Sequence, residues 1–210
     1  MPWHAHLLPA GLAAVLLGIW LAVPTDEVMR SWALSAASLR QGRGLPLVLH
    51  LFAHGSWIHV GMNVAALLLL SAPVISRLGA PPLSWARYLY LYVGSGLAGA
   101  ALFEIFNLYG NGSMLGASGA IFGLLGALAR VHPSTGEAVS MRSPRTWSVI
   151  KVFIQNHIAL FVLLAVVAIF TGRSALVAWE AHLGGLLFGF FATPLYLPRR
   201  ASCSGQGGNG

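Results

Sequence analysis

The sequence predicts an all-α polytopic membrane protein, a bundle of six transmembrane helices with an interfacial first loop. Two compositional facts and one pattern predict it. Charged residues make up 8% of the 210 residues and hydrophobic residues 57%, whereas a water-soluble domain carries roughly 25% charge. The mean hydropathy is +0.75. Six stretches approach the ~20 apolar residues that a helix needs to cross a bilayer. Five acidic residues and twelve Lys and Arg cannot coat a soluble globule of this length, so an ordinary cytosolic enzyme is excluded. The formal charge of +7 sits between the apolar stretches, which suits membrane topology and not a nucleic-acid footprint.

The elements follow in order within one domain, residues 1–200. The first helix is expected over about 7–23. No Lys or Arg precedes it and no small-x-small cleavage site stands before Asp26, so it reads as a retained helix and not a signal peptide. Residues from Thr25 to Ser56 are neither polar enough for a free linker nor apolar enough to span. Trp32, Leu34, Leu39, Leu45, Leu47 and Leu49 with interspersed Arg suggest a segment lying in the headgroups. Further helices are expected over about 57–75, 88–108 and 113–131. The stretch from His132 to Lys151, with Pro133 and Pro144, reads as a polar loop. The last helices are expected over about 152–171 and 176–197. Residues 201–210 read as a disordered tail. With both termini inside, Arg77, Arg87, Arg130, Arg142, Arg145, Lys151, Arg199 and Arg200 are cytoplasmic, against Arg30, Arg40, Arg43 and Arg173 outside; this bias favours that orientation.

Polar groups inside a bilayer are expensive, so each is a functional candidate. His59 and Asn63 are four apart on the second helix and share a face. The fourth carries Gly116-Ala117-Ser118-Gly119, and the sixth carries Ala181-His182 followed by Gly185 and Gly189. In the proposed topology His59, Ser118 and His182 lie near the outer ends of three helices, in one shallow layer. The chemistry that fits is serine nucleophilic catalysis. A serine hydroxyl needs a base to take its proton, and His182 has the pKa range for that work. The Ser118 N–H and the His59 and Asn63 side chains can supply donors to an oxyanion. Glu180 points to a different face from His182 and Glu104 is a weak candidate orienter, so the reading is a Ser–His dyad. Gly119 with Gly123, and Gly185 with Gly189, form small-xxx-small pairs that let helix backbones approach.

At these residues the chain resembles the rhomboid intramembrane serine proteases, in their basic six-helix bacterial form. The resemblance runs from about His50 to Phe190. It rests on His54-x4-His59-x3-Asn63, Gly116-x-Ser118-Gly119 and Ala181-His182-x-x-Gly185-x-x-x-Gly189, in that order along the chain. It implies that Ser118 is the nucleophile and His182 the base. It also implies that the Ala117 and Ser118 N–H groups join His59 and Asn63 in the oxyanion hole. Gly116, Gly119, Phe122, His54 and Gly185 would support the site. The implied substrates are transmembrane helices, cut near the outer face of the membrane, and the implied location is a bacterial inner membrane. Two departures stand out. Many family members carry a Trp-Arg pair where this chain has Leu45 and Pro46, and an aromatic, often Tyr, one turn after the nucleophile is Phe122 here. Phe122 can stack on the His182 ring but cannot donate a hydrogen bond.

Other readings predict different features. A catalytically inactive relative that binds transmembrane helices generally lacks the nucleophile or the base, and both are present. A haem protein or transporter needs facing histidines at midplane or a polar path across the membrane. His50, His54 and His59 lack an HExxH pattern and a nearby carboxylate, so neither a metal nor a cofactor is called for. The single Cys203 excludes a disulfide framework and a cysteine-based metal site. His4, His6, His132 and His157 read as interfacial or loop histidines.

Overall fold

Helix boundaries follow local chemistry in the computed structural model, which describes residues 1–23, 26–171 and 177–198. The chain begins with α1 (His4–Ala22). Three short helices follow in the first loop: α2 (Asp26–Ser31), α3 (Ala36–Arg40) and α4 (Pro46–Leu49). Ser35 starts α3 through a capping box with Ser38, which satisfies two otherwise orphaned N–H groups. Then come α5 (Trp57–Ile75), α6 (Leu83–Asn107), α7 (Ser118–Ala129), α8 (Pro144–Thr171) and α9 (Trp179–Tyr196). Ser56 caps α5 by accepting a hydrogen bond from the His59 N–H at 3.1 Å. Among the described residues there is no strand, only isolated bridges between Leu34 and Met114 and between Val131 and Ala138.

Among the described residues, four helices are long and apolar enough to cross a membrane: α1, α5, α6 and the Pro144–Leu163 part of α8. The chain is a polytopic helical membrane protein. Large apolar side chains such as Leu68, Leu69, Tyr90, Ile158 and Phe161 lie exposed on their outer faces. In water such a surface would drive association; in lipid it is the expected outside of a bundle.

The 12-residue α7 sits at the centre, packed by α5, α6 and α9. Its buried residues are mostly small: Gly119, Ala120, Gly123, Gly126, Ala127 and Ala129, with Ile121 and Leu124. Small side chains bring helix axes together when there is no hydrophobic drive between helices in lipid. The contact is closest between α7 and α9. A methyl group on Gly185 would overlap the Gly119 carbonyl, and one on Gly189 would overlap that of Gly123.

Three boundaries differ from the sequence reading for identifiable reasons. The helix expected over 113–131 starts at Ser118 and, at 12 residues, is too short to be counted with the four spans. Gly116 adopts a φ of 117°, which breaks the helix, and Leu34 and Met114 exchange backbone hydrogen bonds of 2.9 Å. The fifth helix starts at Pro144, inside the stretch read as a loop. Ser143 Oγ accepts from the Thr146 N–H at 3.1 Å, and Pro144 occupies the first turn, where its missing N–H costs nothing. The third begins at Leu83 instead of 88. In the first loop Leu34 is fully buried against Ala100, Phe103, Met114 and Ala181. It is a core residue and not an interfacial one, whereas Leu45 and Val48 remain exposed. The start proposed for the last helix at 176, Arg173, Arg199 and Arg200, and the tail over 201–210 lie outside the described residues.

Candidate active site

Ser118 opens α7, and its local backbone explains its position. Gly116 turns the chain with a positive φ, and its N–H is held by the His50 carbonyl at 2.8 Å. The first helical bond of α7 runs from Ile121 N–H to Ala117 O at 3.1 Å. The N–H groups before Ile121 therefore have no acceptor in their own helix, and the positive end of the helix dipole lies at the serine.

His182 comes from the first turn of α9 and is buried. Its Nε2 lies 2.8 Å from Ser118 Oγ, across 64 positions of sequence. The glycine contacts between α7 and α9 make this distance possible, because larger residues at 119 and 185 would separate the backbones. Phe122, one turn after Ser118, places its ring centroid 4.3 Å from that of His182, inclined by 32°.

On α5, His59 faces the same turn. Its Nε2 lies beside the Gly116 α-carbon, where a methyl group would come within 2.7 Å of it and 3.8 Å from Ser118 Oγ. The Gly55 N–H points at His59 Nδ1 over 3.4 Å. An N–H only donates, so Nδ1 accepts and the neutral ring carries its proton on Nε2, on the Ser118 side. Asn63 is buried and gives one amide hydrogen to the His59 carbonyl at 2.9 Å, which leaves its second hydrogen available. His54 is buried and meets His59 edge-on with ring centroids 5.0 Å apart. His50 Nδ1 is 2.9 Å from the Pro46 carbonyl. Both rings bond to carbonyls within the first loop, and the His50 carbonyl ties that loop to Gly116. Burial lowers the pKa of each; for His54 the value falls to about 4, with the charge of His59 adding to desolvation and the Phe52 carbonyl opposing it.

The structure thus gathers Ser118, His182, His59, Ala117, Gly116, Gly119, Phe122, His54 and Gly185 around one turn, with Asn63 one turn further along α5 and bonded to the His59 carbonyl. Among the described residues no group of three His, Cys, Asp or Glu side chains has a metal-binding arrangement. The reading of His157 needs correction. It lies on α8, is buried, and its Nε2 stands 2.9 Å from His182 Nδ1. The signal is present in the sequence: an ionisable residue inside an apolar stretch is a functional candidate.

With this geometry in view, comparison with known proteins is decisive. A family model of the Rhomboid domain matches residues 41–199. The chain belongs to the rhomboid family. Rhomboid protease GluP of Bacillus subtilis is 28% identical over 177 residues, covering 83% of this chain and 31% of that protein. RHOMBOID-like protein 5 of Arabidopsis thaliana is 28% identical over 170 residues, covering 81% and 49%. Presenilin-associated rhomboid-like protein A, mitochondrial, of Danio rerio is 30% identical over 154 residues, covering 70% and 36%. This rhomboid chain spans about half or less of the length of these relatives. Its matched region begins within the first loop and so takes in α4 to α9, every element that contributes to the site.

Proposed function

We propose that this chain is an intramembrane serine endopeptidase that cleaves transmembrane segments of membrane proteins. The observation that carries the reading is the 2.8 Å contact between Ser118 Oγ and His182 Nε2 at the N-terminus of a buried helix. In this reading His182 Nε2 takes the serine proton as Oγ attacks the scissile carbonyl. The tetrahedral oxyanion is received by the Ala117 and Ser118 N–H groups with His59 Nε2–H and the free Asn63 amide hydrogen. His182 then returns the proton to the departing amine, and water releases the acyl group by the reverse route. In this reading the oxyanion is received beside the Gly116 turn, close to His59 Nε2 and Ser118 Oγ.

The site's surroundings support the substrate class that the resemblance implies. The site lies among helices whose outer faces are apolar, so a polypeptide reaching it laterally is itself membrane-embedded. The distribution of Lys and Arg supports cytoplasmic termini and a site opening toward the periplasmic side of a bacterial inner membrane.

The test is covalent labelling of the detergent-solubilised protein with a fluorescent fluorophosphonate, beside Ser118→Ala and His182→Ala. Labelling of the parent alone supports an activated serine, and cleavage of a model transmembrane substrate in liposomes then supports the peptidase. A folded parent that neither labels nor cleaves would overturn the reading in favour of an inactive helix-binding relative.

A further inference from the structure

We propose that His157 is a positioning residue that fixes His182 in its base-ready tautomer, making the site a Ser118–His182–His157 relay of hydrogen bonds. The proposal rests on the Ser118–His182 reading above. It starts at a group that cannot change its role, the Phe153 carbonyl, which only accepts. His157 Nδ1 lies 2.8 Å from that oxygen and must donate to it. The neutral His157 ring is then bare at Nε2. His182 Nδ1, 2.9 Å away, must donate to that lone pair, so the His182 proton sits on Nδ1. Its Nε2 is left bare and faces Ser118 Oγ at 2.8 Å. One backbone carbonyl on α8 thus determines the proton positions on two rings, and the result is the tautomer a general base requires.

Neither available acid competes for this role. Both carboxylate oxygens of Glu104 are buried with no hydrogen-bond partner, so neither reaches His182. Glu180 lies 3.5 Å from the Asn107 amide. The His157 ring is itself held: its centroid is 4.1 Å from that of Phe153 and 5.0 Å from that of Phe122. When His182 accepts the serine proton, its Nδ1–H keeps donating to His157. A neutral acceptor then supports the imidazolium where other serine hydrolases use a carboxylate.

Two variants separate hydrogen bonding from packing. His157→Phe keeps an aromatic ring between Phe153 and Phe122 but removes both nitrogens. His157→Gln places an amide oxygen near the position of Nε2 and can donate to Phe153. Imidazole ¹⁵N spectra of the full chain in micelles should show His182 protonated at Nδ1 in the parent, and a tautomer mixture in His157→Phe. That variant should lose about 10- to 100-fold in kcat and in labelling rate with KM unchanged, and His157→Gln should recover to within several-fold of the parent. The proposal is overturned if the parent carries its His182 proton on Nε2. It is equally overturned if His157→Phe keeps the parental tautomer and kcat, or if Gln does no better than Phe. The tautomer is read without turnover. A parent with Nδ1–H on His182 but no Ser118-dependent labelling would overturn the peptidase reading while supporting the hold of His157 on His182.

Discussion

The imidazole of His59 lies against the α-carbon of Gly116, so close that a methyl group there would come within 2.7 Å of Nε2. The same glycine has a φ of 117°, a region L-residues adopt only at a cost of about 1–3 kcal/mol. Gly116→Ala therefore meets two obstacles, one in the backbone and one in the ring that would donate to the oxyanion. Loss of one such donor reduces kcat by about 10²- to 10³-fold. The expected result is a folded variant with kcat lowered to that extent, measured on a transmembrane substrate in liposomes. Retention of more than a tenth of parental kcat would count against a catalytic role for His59.

The contact between α7 and α9 makes a separate prediction about stability. Gly185→Ala would drive a methyl group into the Gly119 carbonyl, where backbone on both sides leaves nothing flexible to yield. The loss should be at least about 2 kcal/mol, and activity should fall because His182 moves with α9. Gly18 on α1 is exposed, and a methyl group placed there would meet no atom within 4 Å, so Gly18→Ala should change stability by less than about 1 kcal/mol. Thermal unfolding of both variants in one detergent compares them directly. Equal effects would mean that the glycine contact does not hold α9 in place.

What can be read from the chain alone is the set of groups whose chemistry is out of place in a bilayer. Ser118, His182, His59 and Asn63 stand out because polar side chains among apolar residues are rare, and helical spacing puts His59 and Asn63 on one face. Boundaries are harder, because they depend on contacts distant in sequence. The 113–117 stretch is as apolar as a helix, but its pairing with Leu34, the His50 carbonyl on the Gly116 N–H and the positive φ of Gly116 keep it out of one. Pro144 looks like a loop residue until Ser143 is seen capping the turn that it opens. His157 stands out only as an ionisable residue inside an apolar stretch; its role comes from α9, 25 residues away. Hydropathy gives no information about which face of α8 turns inward.

Phe122 links the residues on α7, α8 and α9. Its ring meets those of His182, His157 and Phe153 at centroid distances of 4.3, 5.0 and 5.4 Å. Phe122→Ala would remove the surface on which the His182 ring rests. Phe122→Tyr keeps that surface and should retain kcat within several-fold, whereas Phe122→Leu should lose more than Tyr despite keeping much of the apolar volume. Steady-state cleavage by the two variants checks the order. If Leu matches Tyr, ring stacking contributes nothing beyond filled space.

The first loop carries an acid-sensitive element. His54 is fully buried with Nε2 unpartnered, and desolvation, followed by the charge of His59, lowers its pKa from 6.5 to about 4. Above pH 6.5 the ring is neutral in both folded and unfolded chains and its burial has no pH-dependent effect. Between pH 6.5 and about 4 the unfolded chain binds a proton that the folded chain excludes, so stability falls as pH falls. Below that range both states are protonated and the loss levels off. The full loss from this one group is about 3 kcal/mol, and His50, lowered in the same direction by burial, adds to it. Melting followed by tryptophan fluorescence from pH 8 to pH 4 should show the midpoint falling through this window. His54→Phe, which fills the same buried site without titrating, should flatten the slope. Parallel parent and variant curves would show that the acid response originates elsewhere. Because the His50 carbonyl holds the Gly116 N–H, a loop loosened at low pH should also slacken the turn before Ser118. Activity lost on acidification should then return on neutralisation, at the rate at which the loop re-forms.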